Sequence, residues 1–222
     1  MCFKQATVLF LMLAIVTGFA QTRREEEPIC DLHGLKRVDI ADEDATILGF
    51  TIGRASLEDV QAKLGKTETY RVSRDEESDV AICYVSPADG TVFAIYSGAM
   101  GGWKDITWFA LWSREAAFPN VSRCAKSTEI SRHVGTLSGL RLGLTTSELK
   151  GIVGTPNKVT DASMEYDYIC RQKMTDNDIK RFKTANDWDV TSDPYFDRIS
   201  WIDVHFNKGI ASRIEIGRIE SY

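Results

Sequence analysis

Few side chains in this 222-residue chain are of types that do covalent chemistry, and their spacing decides how much chemistry to expect. The three histidines, His33, His133 and His205, are scattered. His205 alternates with Trp201 and Asp203, so a strand would set all three on one face, where imidazole and carboxylate could handle a proton. A sheet surface of mixed residues explains the trio equally well. No G-x-S-x-G, H-E-x-x-H or C-x-x-C-H motif occurs. SGAMGGWK, Ser97 to Lys104, is glycine-rich but lacks the Gly-Lys-Ser/Thr ending of a phosphate loop. It also leads into a strand-like run rather than a helix, and reads as a hairpin connection. In DWDVTSDPYFD, Asp187, Asp189, Thr191 and Asp193 alternate as calcium ligands can. Ser192 stands where the turn glycine is needed and Arg198 where a bidentate glutamate belongs, so a solvated acidic loop is the better reading. We assign no catalytic, cofactor-binding or metal-ligating residue and expect a protein that is not an enzyme.

The first twenty residues carry Lys4, an apolar run from about Ala6 to Val16, and small residues at Gly18 and Ala20. That pattern predicts a signal peptide cleaved after Ala20 and a secreted or periplasmic protein, the run being short for a bilayer span. The remaining chain has 26 basic and 32 acidic residues, a net charge of −6, and no basic stripe. Nucleic-acid and anionic-membrane binding are thereby disfavoured, no membrane insertion is expected after signal cleavage, and another exported or envelope protein is the expected partner. Cys2 leaves with the signal, and an even set remains: Cys30, Cys83, Cys124 and Cys170. In an exported chain these read as disulfides; no C-x-x-C pair suggests zinc.

The elements that must position these residues come in two similar sets. Gly49-Phe50-Thr51-Ile52-Gly53 aligns with Gly139-Leu140-Arg141-Leu142-Gly143, and Ser56, Asp59, Val60, Leu64 and Gly65 align with Thr145, Glu148, Leu149, Val153 and Gly154. Each set predicts a capping box, a short helix with an apolar stripe (Leu57, Val60 and Leu64; Leu149, Ile152 and Val153), and a glycine stop. Strand-like runs follow at Asp79 to Ser86, Thr91 to Tyr96 and Asp105 to Trp112, then at Met164 to Cys170, Trp201 to Phe206 and Ile210 to Ile216, the last two joined by an Asn207-Lys208-Gly209 turn. The fold class is α+β: two tandem repeats, each a short helix on an antiparallel meander sheet of about four strands. We expect a signal peptide at 1–20, a mobile N-terminus at 21–29, repeat 1 at 30–114, a linker at 115–123, and repeat 2 at 124–222 with an insertion at 171–199. The insertion begins with a helix from Thr175 to about Lys183. Each repeat owns one upstream and one downstream cysteine, so the simplest of three connectivities pairs Cys30 with Cys83 and Cys124 with Cys170.

GLTTSELKGIVGTP, Gly143 to Pro156, resembles the Gly-x-Thr-x-x-(Glu/Gln)-(Val/Leu)…Gly-x-Pro signature of beta-lactamase-inhibitor-protein-like domains and the related small outer-membrane lipoprotein A family. The first copy departs from it, with GRAS at Gly53 to Ser56 and Lys66-Thr67 in place of the final x-Pro. The resemblance implies a helical segment on a four-stranded antiparallel sheet, used singly or in tandem to bind proteins. It carries over no inhibitory contact.

DITWFALW, Asp105 to Trp112, is apolar on both faces: Ile106, Trp108, Ala110 and Trp112 against Thr107, Phe109 and Leu111. One face should pack on the helix; the other meets the second repeat, the N-terminal segment, or a partner. The candidate partner surface is Trp103, Trp108, Trp112, Trp188, Tyr195, Trp201 and His205. The leading expectation is a protein-binding module, inhibition of a beta-lactamase or other hydrolase being one form. A structural envelope component is the alternative, and a small-ligand-binding protein or a hydrolase centred on Asp203 and His205 stands third.

Overall fold

The computed structural model describes residues 39–74, 77–177, 179–180 and 194–221. The signal-like segment, residues 21–29, Cys30 and the Asp-rich loop with Trp188 lie outside these. A two-residue-per-strand hairpin, β1 (Thr46–Ile47) and β2 (Phe50–Thr51), precedes the helix α1 (Leu57–Leu64). Then come β3 (Tyr70–Arg74), β4 (Glu77–Val85), β5 (Val92–Ser97), β6 (Trp108–Trp112) and β7 (Ala125–Lys126). A second helix, α2 (Thr146–Val153), leads into β8 (Lys158–Val159), β9 (Ser163–Lys173), β10 (Tyr195–Asn207) and β11 (Ile210–Ser221).

The capping boxes form as the sequence predicts. Ser56 Oγ accepts from the Asp59 amide (3.1 Å) while Asp59 accepts from the Ser56 amide (2.8 Å), and Thr145 and Glu148 do the same at 3.3 and 2.8 Å. Gly65 and Gly154, at φ +98° and +102°, end the helices in a conformation that costs a side-chain-bearing residue strain. Leu57, Val60, Leu64, Leu149 and Val153 are buried and Ile152 is half-buried. A tyrosine from the sheet closes each helix end: Tyr84 Oη donates to Gly65 O (2.6 Å) and Tyr166 Oη to Gly154 O (3.4 Å). Ser56 bridges to Asp105, three residues ahead of β6, as Thr145 bridges to Ile210, the first residue of β11.

Among the described residues nine strands make one mostly antiparallel sheet in the order β3-β4-β5-β6-β11-β10-β9-β8, with β7 on the edge of β4. The two four-stranded runs join where β6 pairs with β11, Phe109 opposite Ile216 and Leu111 opposite Ile214. The helix side of the sheet forms a single apolar cluster with both helices, in which Tyr84, Phe93, Phe109, Tyr166, Ile202 and Ile214 are fully buried. Burial on this scale on one face explains why register is fixed along each strand, since a one-residue slip would expose that whole row.

Three expectations change. Cys83 bonds to Cys124, not to Cys30, so the expected Cys30–Cys83 and Cys124–Cys170 bridges do not form. The reason is β7: it runs parallel to β4, Ala125 beside Tyr84, and so brings residues 83 and 124 to a Cα separation of 4.7 Å. Cys170 is also disulfide-bonded, to a partner outside the described residues. Second, the fourth strand expected after the first helix is β3, which precedes the three runs the sequence located and whose polar composition hides it. Third, the stretch 171–199 opens and closes as sheet, with Lys173 opposite Tyr195 and Arg171 opposite Asp197. Its predicted helix is present at 176–177 and 179–180.

Residues 39–44 are tied to β10 and β11 by a shielded charge network. Arg218, its side chain 9% exposed, donates to Asp42 (2.8 Å) and to Ile40 O and lies 3.7 Å from Asp39. Arg198 pairs with Asp39 (3.1 Å) and Glu220 (2.7 Å), and Ser200 donates to Asp39 at 2.6 Å. The Arg218 hydrogen bond holds the Asp42 carboxyl below its ordinary range.

Candidate functional site

The helices cover one face of the sheet, and the other divides into two parts. Over β4 to β6, Tyr70, Ala81, Cys83, Tyr96, Trp108 and Phe118 build a second, smaller core. Trp108, expected on the partner surface, is only 5% exposed. Its ring stacks on Tyr96 at 3.4 Å, and its Nε1 donates to Asp79 at 3.1 Å. Trp112 is half-buried, edge-on to Phe118 (5.3 Å) and capped by the Arg213 guanidinium at 4.4 Å. Phe118 comes from the stretch read as a linker, which accounts for the covered aromatics. Trp103 is 45% exposed in the turn after β5, at φ +62°.

Over β9 to β11 the same face is partly exposed, Glu215 and Gly217 on β11 being buried. Its side chains fall into rows fixed by strand register. Ile169, Ile199 and Ile219 lie directly opposite one another across three strands. Ile169 is 50% and Ile199 36% exposed. The next row holds Asp167, Trp201 and Gly217, continuing to Trp108 on β6. A Cβ at Gly217 would overlap the Trp201 ring, so this glycine is what lets the indole lie flat across β11. The third row is Lys158, Glu165, Asp203 and Glu215; the fourth holds His205 and Arg213. Tyr195 sits further along β10, under Arg171 at 4.9 Å.

The electrostatics follow from the rows. Lys158 is paired with Glu165 (2.8 Å) and Arg213 with Glu215. Burial, reinforced by the negative charges of Asp167, Glu215 and Glu165, pushes the Asp203 carboxyl up to about 6. Burial and then the positive charge of Arg213 lower His205. Trp201, Asp203 and His205 do share a face, as the alternation predicts. Among the described residues no hydrogen bond joins Asp203 to His205, and no group of three or more His, Cys, Asp or Glu residues is placed to hold a metal ion. Trp188 and the aspartates of the acidic loop lie outside the described residues.

Sequence reasoning missed the isoleucine row and the seat that Gly217 provides, because both depend on which residues of separate strands stand opposite. The alternation of Ile199 with Trp201 was the one available signal.

No protein-family model matches the sequence, and no curated protein does. A candidate beta-lactamase inhibitor protein from Streptococcus mutans, known as a crystal structure, is similar over 75% of this chain and 82% of that chain, at 12% identity and a TM-score of 0.23. Likeness at that level concerns the fold at most and has no bearing on function. Among the described residues no helix is long and apolar enough to cross a membrane.

Proposed function

We propose that this chain is an exported, non-enzymatic tandem-repeat module that binds another protein through the partly exposed face of β9, β10 and β11. The observation that carries the reading is the isoleucine row, three apolar side chains in cross-strand register, at least two of them exposed to water, beside a flat-seated tryptophan. Isolated exposed apolar residues are ordinary on a soluble protein. A contiguous row with an aromatic neighbour and a charged rim has the composition of an interface centre. The two helix-and-meander units, with matching caps and matching tyrosine contacts, support the tandem reading: joined at β6 and β11, they make a sheet wide enough to present such a face. The Cys83–Cys124 bridge and the signal-like N-terminus support export. Inhibition of an exported hydrolase is one form this binding can take.

The test is site-specific photo-crosslinking in the producing cells, with the photoreactive side chain at position 199 in one variant and at Glu58, on the solvent side of α1, in another. The reading predicts one dominant protein adduct from position 199 and none from position 58. No adduct from position 199, or the same adducts from both, would contradict it.

A further inference from the structure

We propose that the occupant of this face is a protein segment presenting an arginine or lysine close to an apolar side chain, the cation seated on the Trp201 ring between Asp167 and Asp203 and the apolar group on the isoleucine row. This inference rests on the docking reading above and names the chemistry of its partner.

Charge complementarity in a fixed register points to this occupant. Four carboxylates, Glu165, Asp167, Asp203 and Glu215, lie on the side of β9, β10 and β11 away from the helices, Glu215 buried and the other three at least partly exposed. The cations facing them are Lys158 on β8 and Arg213 on β11, and each is already engaged, with Glu165 and with Glu215. His205, two residues along β10, is held toward its neutral form. Asp167 and Asp203 are therefore left with no ion pair or hydrogen bond to their carboxylates among the described residues, and they flank the indole: Asp167 is directly opposite Trp201, and Asp203 is two residues on along the same face. Lys158 and Arg213 act on these carboxylates only from a distance, and an indole face next to carboxylates without a contacting cation is the environment that a guanidinium or ammonium group prefers to water, combining cation–π attraction with a charge pair. Gly217 fixes the ring in advance, so the seat is preformed and little ordering is needed on binding.

The isoleucine row lies one step along the strands from Trp201, about 7 Å, which is the spacing between alternate side chains of an extended partner segment. A second copy of this chain fits poorly, because it would bring the same acidic row and a net charge of −5. A nucleic acid would be repelled. The raised Asp203 carboxyl adds a signature: the seat is charged at pH 7.5 and loses charge near pH 5, so binding should weaken on acidification.

The experiment selects a phage library of disulfide-closed heptapeptides on the oxidised, exported chain at pH 7.5 and then measures the winners as synthetic peptides. The inference predicts peptides with Arg or Lys within two positions of Ile, Leu, Val or an aromatic residue. Asp167→Asn/Asp203→Asn, whose fold is checked by urea unfolding, should weaken them about tenfold or more. Replacing their basic residue by citrulline or norleucine, or lowering the pH to 5, should have the same effect. Peptides that depend on Ile199, losing affinity to Ile199→Ser, but that ignore both aspartates would overturn the cationic seat and leave the docking face standing. Peptides indifferent to Ile199 and to the aspartates alike would overturn both readings.

Discussion

Replacing Asp203 by Asn should stabilise this protein, and only above about pH 5. Asp203 has no hydrogen-bond partner to lose among the described residues, and its carboxylate is opposed by burial and by three like charges that lift its pKa from the usual 3.8 to about 6. A rise of that size corresponds to about 3 kcal/mol at 1.36 kcal/mol per pKa unit. The group is only half-buried, and solvent screening reduces the expected effect to about 1–2 kcal/mol. Because the folded value lies above the unfolded one, the penalty is complete at pH 7.5, shrinks as the pH falls through 6, and is gone below about 4, where both states carry the proton. Asn, neutral throughout, escapes it. Urea unfolding of both proteins at pH 7.5, 5.0 and 4.0 should show midpoints separating at the first pH and converging at the last, with equal slopes. An Asn variant no more stable at pH 7.5, or equally advantaged at pH 4.0, would refute the acidic-row account.

Arg218→Ala removes a shielded guanidinium from Asp39, which keeps Arg198, and from Asp42, which keeps Arg54, and should cost about 1.5–3 kcal/mol in thermal or urea unfolding. Cys83→Ser/Cys124→Ser opens a loop spanning 41 residues and should cost about 4 kcal/mol, while a non-reducing peptide map of the parent should yield a Cys83–Cys124 peptide pair. Gly217→Ala pushes the Trp201 ring off β11, at about 1–3 kcal/mol, and should change the near-ultraviolet circular dichroism; an unchanged spectrum would contradict the flat seat. Tyr84→Phe deletes the hydroxyl that closes α1 and should cost about 1 kcal/mol by the same unfolding assay.

The sequence was most legible where structure is local. Ser56 with Asp59 and Thr145 with Glu148 announce both helices because the capping interaction spans three residues, and the glycine stops need no distant partner. Alternation put Trp201, Asp203 and His205 on one strand face, and they lie there, opposite the buried Ile202 and Val204. What depends on pairing between distant segments was not legible. The Cys83–Cys124 bridge follows from a two-residue parallel strand, Ala125–Lys126, that no periodicity could reveal. The aromatics of β6 are covered by Phe118 and by a cross-strand stack on Tyr96, so a composition that suggested a partner surface serves a second core. The exposed row went unread because Ile169, Ile199 and Ile219 are separated by dozens of residues and become neighbours only in register.

The central claim is that β9, β10 and β11 present a protein-binding face, and one comparison tests it most directly. The affinity of the protein crosslinked from position 199 should be measured calorimetrically against the parent chain and against Ile199→Asp, whose folding stability is checked in parallel. The account predicts a loss of at least about a hundredfold, as expected for an interface-centre residue, with stability kept. Equal affinity for the two chains would contradict it.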